Sequence, residues 1–365
     1  MNFKKSPLSV LGLGLLAAAT VQAADPAPAQ VGFVYVSPVG DAGWTYQHDV
    51  GRKEMEKALA GKVTTKFIEN VPEGADAERV IRQMATGGAK IVFTTSFGYM
   101  NQTEKVAAAF PDKVFFHATG YKTGKNMGIY NARFYEGRYL CGVIAGKMTK
   151  SHIAGYVAAF PIPEVLQGIN AFTQGMRSVD PKAEVRVIWV NSWFDPGKER
   201  EAALTLLSQG ADMVTHHTDS TAIVQAVEEK HKENANLYSF SYHSDMAKYG
   251  PTSQLSGTTH HWGDFYTRTV KDVLAGTWKS TNVWGGMKDG MIKLAPLNAA
   301  LPAPVKTLVG KLEKEIIAGK LHPFAGPVVG QDGKELVAKG KNMTDAELGA
   351  MNYYIAGVAS TLPKK

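Results

Sequence analysis

From residue 31 the chain alternates between two hydrophobic rhythms, one of strands and one of helices. "VGFVYVSPVGDAGWTYQHDVGRKEMEKALAGKVTTKFIENV" (31–71) shows both: an apolar strand-like start, a loop carrying Trp44, and an amphipathic helix to Leu59. "KVTTKFIE" predicts a second strand, and Asp76 to Thr86 a helix with Val80, Ile81 and Met84 on one face. "AKIVFTTS" reads as a buried strand, then a helix runs from about Met100 to Phe110, followed by strands at "KVFFHAT" and "NMGIYNA".

The pattern then restarts. Helices are expected at Phe134–Thr149, Pro163–Ser178, Pro196–Ser208 and Ser220–Lys232, between strands at "HIAGYVA", "AEVRVIWV", "ADMVTHH", "NLYSFSY" and "SQLSGTT". A helix at Trp262–Ala275, a strand at "MIKLAPL" and a helix at Pro304–Ala318 follow. Two consecutive βαβα runs call for two α/β lobes, each a parallel sheet with helices on both faces.

In such sheets ligands bind beyond the carboxyl ends of the strands. The loops there are unusually aromatic, with Trp44, Tyr46, Phe97, Tyr99, Tyr121, Phe160, Trp193, Phe194, Tyr242 and Trp262 at or just past strand ends. Ordinary loops carry polar and turn residues, so this concentration predicts an aromatic cleft for a flat ligand.

The ends and the composition narrow the class. Lys4 and Lys5, the apolar "LSVLGLGLLAAAT" and the small residues of "VQA" form a secretory leader, cleaved after Ala23 and too short to span a bilayer. No cysteine stands at that cleavage site, which predicts a periplasmic protein released from the membrane rather than lipid-anchored. Cys141 is the one cysteine, so the fold must hold without an internal disulfide. The net charge of +7 is spread without any run of five basic residues, which argues against nucleic acid as a partner.

Catalysis and metal find no support in the spacing. There is no GxSxG elbow, CxxC pair, HExxH or phosphate-cradling GxxxxGK[ST]. His216-His217 and His260-His261 are adjacent on strands, so each pair can lend only one ring to a given site. No cofactor is expected, and the chain reads as a binding protein rather than an enzyme.

Four segments carry a family resemblance: "GDAGWTYQHDVGRKEME", "YEGRYLCGVIAGKMTKSHIAGYVAAFPIPEVLQGINAFTQGMRSVDP", "SWFDPGKEREAALTLLSQGADMV" and "VWGGMKDGMIKLAPL". Together they resemble the basic membrane protein family of ABC-transporter substrate-binding proteins, which includes purine nucleoside receptors. The resemblance implies a type I periplasmic binding protein, two lobes joined by three crossovers, delivering its ligand to a membrane permease. It suggests lobe 1 at 31–125 plus about 258–287, lobe 2 at 126–257 plus about 288–330, and a C-terminal segment at 331–365. A monomer is expected.

In the first loop the family's stacking aromatic survives as Trp44, while Thr45 stands where its nucleoside receptors carry a base-binding Asn. His243 occupies the place of an acid that holds ribose hydroxyls, and His261 that of a lysine. With both positions changed, a free purine nucleobase is expected, adenine first, then hypoxanthine or guanine. The expected ligand contacts are Trp44, Phe97, Tyr99, Phe160, Trp193, Phe194, Asp219, His243, Asp245 and His261, with Ser96 a further edge-reading group. The alternatives are a nucleoside, another small aromatic, amine or sugar ligand, or a secreted nucleosidase or deaminase.

Overall fold

The computed structural model describes Met1 and residues 27–363. The expected leader, apart from Met1, lies outside the described residues. The first half builds β1 (Ala29–Val34), α1 (Trp44–Ala58), β2 (Val63–Ile68), α2 (Ala75–Thr86), β3 (Ile91–Thr94), α3 (Met100–Ala109), β4 (Val114–Ala118) and β5 (Met127–Ala132). Next come α4 (Phe134–Met148), β6 (Ile153–Ala158), α5 (Pro163–Val179), β7 (Glu184–Trp189), α6 (Pro196–Ser208), β8 (Met213–His217), α7 (Ala222–His231), β9 (Tyr238–His243) and β10 (Gln254–His260). The chain continues through α8 (Gly263–Leu274), β11 (Asn282–Gly285), β12 (Ile292–Leu294) and α9 (Ala303–Ile317). It ends with β13 (Val328–Val329), β14 (Glu335–Val337) and α10 (Asp345–Gly349).

Twelve of these strands form two six-stranded sheets of one design. The first sheet has the order β11-β5-β4-β3-β1-β2, and the second β12-β10-β9-β8-β6-β7. All pairings are parallel except β12, which joins β10 antiparallel at the edge. Sequence periodicity predicts most of this because the central strands are buried on both faces and open on apolar residues: Ile91–Thr94 and Met213–His217 are buried at every position.

The chain passes between the sheets three times: after β5, after β10 and after β11. This corrects the expected lobe limits at two points. β5 (Met127–Ala132) pairs with β4 in the first sheet, so the first passage comes at Arg133 rather than at 125. β10 stays in the second sheet to His260, so the return passage begins at His261 rather than at about 258.

On the second lobe α4 and α5 meet backbone to backbone, and glycine makes that possible. A Cβ on Gly142 would stand 2.0 Å from the Phe172 carbonyl oxygen, and one on Gly175 would stand 2.0 Å from that of Tyr139. The final segment covers the outer side of the same lobe. Val358 bridges Val185 of β7, and Asn170 of α5 donates to the Tyr353 carbonyl and accepts from the Ile355 amide. Among the described residues no helix is long and apolar enough to cross a membrane.

Candidate functional site

The strand ends of the two sheets face each other across a narrow cavity between the lobes. The first lobe lines it with Val36, Trp44, Ser96, Phe97 and Thr119, and the second with Glu164, Trp193, His217, Asp219 and His243. All but two stand at or just past the carboxyl end of β1, β3, β4, β7, β8 or β9; Trp44 opens α1, and Glu164 lies in the first turn of α5.

The lobes touch around this cavity. The Gly43 amide donates to Ser244 Oγ at 2.8 Å, and Ser37 Oγ reaches Asp219 Oδ2 at 3.4 Å. Gly43 has φ 99°, and a Cβ there would lie 2.2 Å from the Asp219 carbonyl oxygen. At the rim Lys248 Nζ pairs with Asp41 at 2.8 Å, and the Tyr249 hydroxyl donates to the same carboxylate.

Two aromatic walls enclose the space. Trp44, the first residue of α1, donates its indole N–H to the Thr95 carbonyl at 2.6 Å. Behind it the rings of His48, Phe134, His260 and Trp262 pack edge-on, with centroids 4.4–6.1 Å away. The opposite wall is Trp193, braced by Phe160 at 5.1 Å and partly buried.

The polar groups come as two acid–imidazole pairs. Asp219 Oδ1 lies 3.2 Å from His243 Nε2, and Glu164 Oε1 lies 3.3 Å from His217 Nε2. Burial pushes Asp219 up to about 8, against a hydrogen bond from Ser37 and with help from the charge of Glu73. Burial, reinforced by the charge of Asp219, likewise raises Glu164 to about 8. The histidines move the other way. Burial, with the cationic Arg138 behind them, holds His217 and His243 well below the ordinary imidazole value.

At neutral pH both pairs are therefore neutral contacts, not ion pairs. A protonated carboxyl presents an O–H donor beside a C=O acceptor, and a neutral imidazole one of each. Glu164 Oε2, His217 Nδ1 and both His243 ring nitrogens lack a hydrogen-bond partner among the described residues. Buried polar atoms are rarely left so, and a ligand edge would satisfy them.

Arg138 is fully buried on α4, with its guanidinium 3.5 Å from the centroid of the Tyr242 ring. It donates to Thr215 Oγ1 at 3.0 Å and to the His216 carbonyl. Tyr242 in turn packs against His217 at 4.4 Å and His243 at 3.9 Å, so cation, phenol and imidazoles are layered beneath the cavity floor.

Of the residues expected from sequence, Trp44, Phe97, Trp193, Asp219 and His243 come together here, with Ser96. The other five do not line the cavity. Tyr99 is buried beneath it, its hydroxyl bound to the Val71 carbonyl. Phe160 stands behind Trp193, and Phe194 turns outward, 39% exposed. Asp245 caps a turn, accepting from the Ala247 amide and from Gln254 Nε2. His261 lines a separate recess with Asp264, Arg268 and Trp284. Glu164, Thr119 and Val36 were not expected, and His217 was foreseen only as one of a pair with His216.

The chain matches the Bmp family, described as ABC transporter substrate-binding protein PnrA-like, over residues 29–321. It belongs to that family. A purine-binding protein of Brucella abortus (strain 2308) is 53% identical over 335 residues, covering 92% of this chain and 94% of the relative. A candidate ABC-transporter glucose-binding protein of Haloferax volcanii is 36% identical, covering 91% and 80%. Among solved structures, an ABC transporter solute-binding protein from Aeropyrum pernix K1 superposes with a TM-score of 0.71 at 19% identity, covering 81% of this chain and 93% of that one. That likeness speaks for the fold. As a Bmp-family member the chain is a substrate-binding protein of an ABC transporter and not an enzyme.

Proposed function

We propose that this substrate-binding protein carries a purine nucleobase, adenine first, between Trp44 and Trp193, and hands it to a membrane permease. It would work as a free periplasmic monomer once its leader is removed. Phe97 contributes a third ring beside the stack. Stacking on aromatic faces contributes roughly 1–3 kcal/mol per base.

The observation that carries the reading is the neutral state of Asp219 and Glu164 in a cavity with aromatic walls. Adenine offers a ring nitrogen acceptor beside an amine donor, and a protonated carboxyl matches that edge with two hydrogen bonds. Guanine's paired N–H donors would instead suit an ionised carboxylate. The purine-binding name of the Brucella relative points the same way.

A nucleoside is the second reading. A wider recess adjoins the cavity and shares Phe97, Thr119 and Glu164 with it, leaving room for a substituent on the base. Mass spectrometry of the small molecule released on denaturation, followed by calorimetry with adenine, hypoxanthine, guanine, adenosine and glucose, separates these cases. Adenine binding at least tenfold tighter than the rest is expected. Preference for adenosine or glucose would overturn the nucleobase assignment.

A further inference from the structure

Glu73 lies outside the cavity lining, in the turn that precedes α2, and it does something no other first-lobe side chain does to the second aromatic wall. Its Oε1 accepts three hydrogen bonds: from Ser96 Oγ at 2.6 Å, from the Gly98 amide at 2.9 Å and from the Trp193 indole N–H at 3.1 Å. The first two donors belong to its own lobe and fix the carboxylate before any ligand arrives. Gly98 leaves the space it needs, since a Cβ there would lie 2.2 Å from the Glu73 carboxyl carbon. The third donor comes from the opposite lobe, 120 positions away.

Trp193 has few other restraints. Its carbonyl accepts from the Asp219 amide at 2.9 Å, which ties its backbone to the loop carrying the buried acid. Its ring meets Phe160 at 5.1 Å and His217 at 6.4 Å, both on its own lobe, and Glu73 is the hydrogen-bond partner of its indole N–H among the described residues.

We infer that Glu73 is a positioning residue: it receives the Trp193 indole when the lobes meet, so that closing the cleft and fixing the second aromatic wall are one event. The inference rests on the reading above only in taking Trp193 as a wall of the ligand site. A bond that exists only across closed lobes holds the ligand in without speeding its arrival. Because Oε1 also holds Ser96, a cavity-lining hydroxyl, the same latch ties a first-lobe edge group to the second-lobe wall.

The test uses the full mature chain, with adenine as the probe and stopped-flow fluorescence as the readout. Glu73→Ala and Trp193→Phe, the latter keeping a ring but lacking an N–H, should each raise the dissociation rate roughly five- to tenfold. The association rate should stay within about twofold, and the double variant should be no worse than the worse single one, as for two ends of one bond. Glu73→Gln, which retains an acceptor oxygen, should recover most of the lost residence time.

Independent effects that multiply, or a loss confined to the association rate, would overturn the inference. A second readout does not depend on the ligand's identity: the distance between spin labels at the exposed positions Lys57→Cys and Lys232→Cys. Glu73→Ala should shift that distribution toward longer distances. If the wild type ignores adenine, the nucleobase reading fails while the distance still decides: a shift supports the latch, and an unchanged distribution overturns it.

Discussion

Asp219 Oδ1 stands 3.2 Å from His243 Nε2, and the two groups meet with side chains about 4% and 3% exposed. No cation lies within ion-pair reach of Asp219 among the described residues, so burial decides its state and keeps it protonated at neutral pH. Asp219→Asn preserves a neutral donor and acceptor in the same shape and should leave adenine affinity within about threefold at pH 7. Asp219→Ala leaves the partner edge unpaired, worth about 1–3 kcal/mol, and should weaken binding roughly tenfold or more. Calorimetry on both variants checks this, and equal losses would mean that an ionised Asp219 makes the contact.

The same groups predict how binding depends on pH. Closed, Asp219 and Glu164 titrate near 8, raised by burial, whereas opening the lobes to water returns carboxyls toward their ordinary values near 4. Between those limits the closed form holds more protons, so affinity for a neutral base should fall as pH rises from about 6.5 to 8.5. Below about 6.5 the dependence flattens, because His217 and His243 are neutral when buried and take up two protons when exposed, matching the two that Asp219 and Glu164 hold when closed. Titrations in buffers of different ionisation enthalpy should show net proton uptake at pH 7.5.

Gly43 makes closure possible. With φ at 99° and the Asp219 carbonyl oxygen 2.2 Å from where a Cβ would stand, any side chain meets the opposite lobe's backbone. Gly43→Ala should therefore lower affinity at least tenfold through failure to close. Scattering in the presence of adenine should report the variant as the more open form, with a thermal midpoint close to that of the wild type.

The fold was legible in the chain because its central strands are buried on both faces and its helices carry one apolar stripe. β11 was not, since Asn282–Gly285 is short and partly exposed and shows no apolar run. Nor could periodicity assign β5 to a lobe. Its pattern reports that it is a strand, while its membership depends on which partner it meets.

The strand-end rule located Trp44, Phe97, Trp193, Asp219 and His243, and failed where one more turn of backbone decides direction. The 3₁₀ turn Phe97–Tyr99 points its first ring at the cavity and buries its last. His243, in the left-handed region at φ 70°, turns the chain so that Asp245 faces away. Glu164 escaped notice because an acid in the first turn of a helix that opens on Pro163 has an ordinary explanation in the helix dipole.

The two tryptophans that wall the cavity should respond differently to truncation. Trp44 is 7% exposed, bonded to the Thr95 carbonyl and packed by four rings, so it is a core residue as well as a cavity wall. Trp44→Ala should cost about 3–5 kcal/mol of stability together with binding, which makes it a poor probe of the ligand contact. Trp193 is partly buried, at the edge of the core rather than within it. Trp193→Ala should weaken adenine binding at least tenfold while the denaturation midpoint hardly moves, and Trp44→Phe should retain most of the stability. Chemical denaturation beside calorimetry on the three variants separates the roles. A Trp193→Ala protein that binds normally would remove the second wall from the site and leave Trp44 to stack alone.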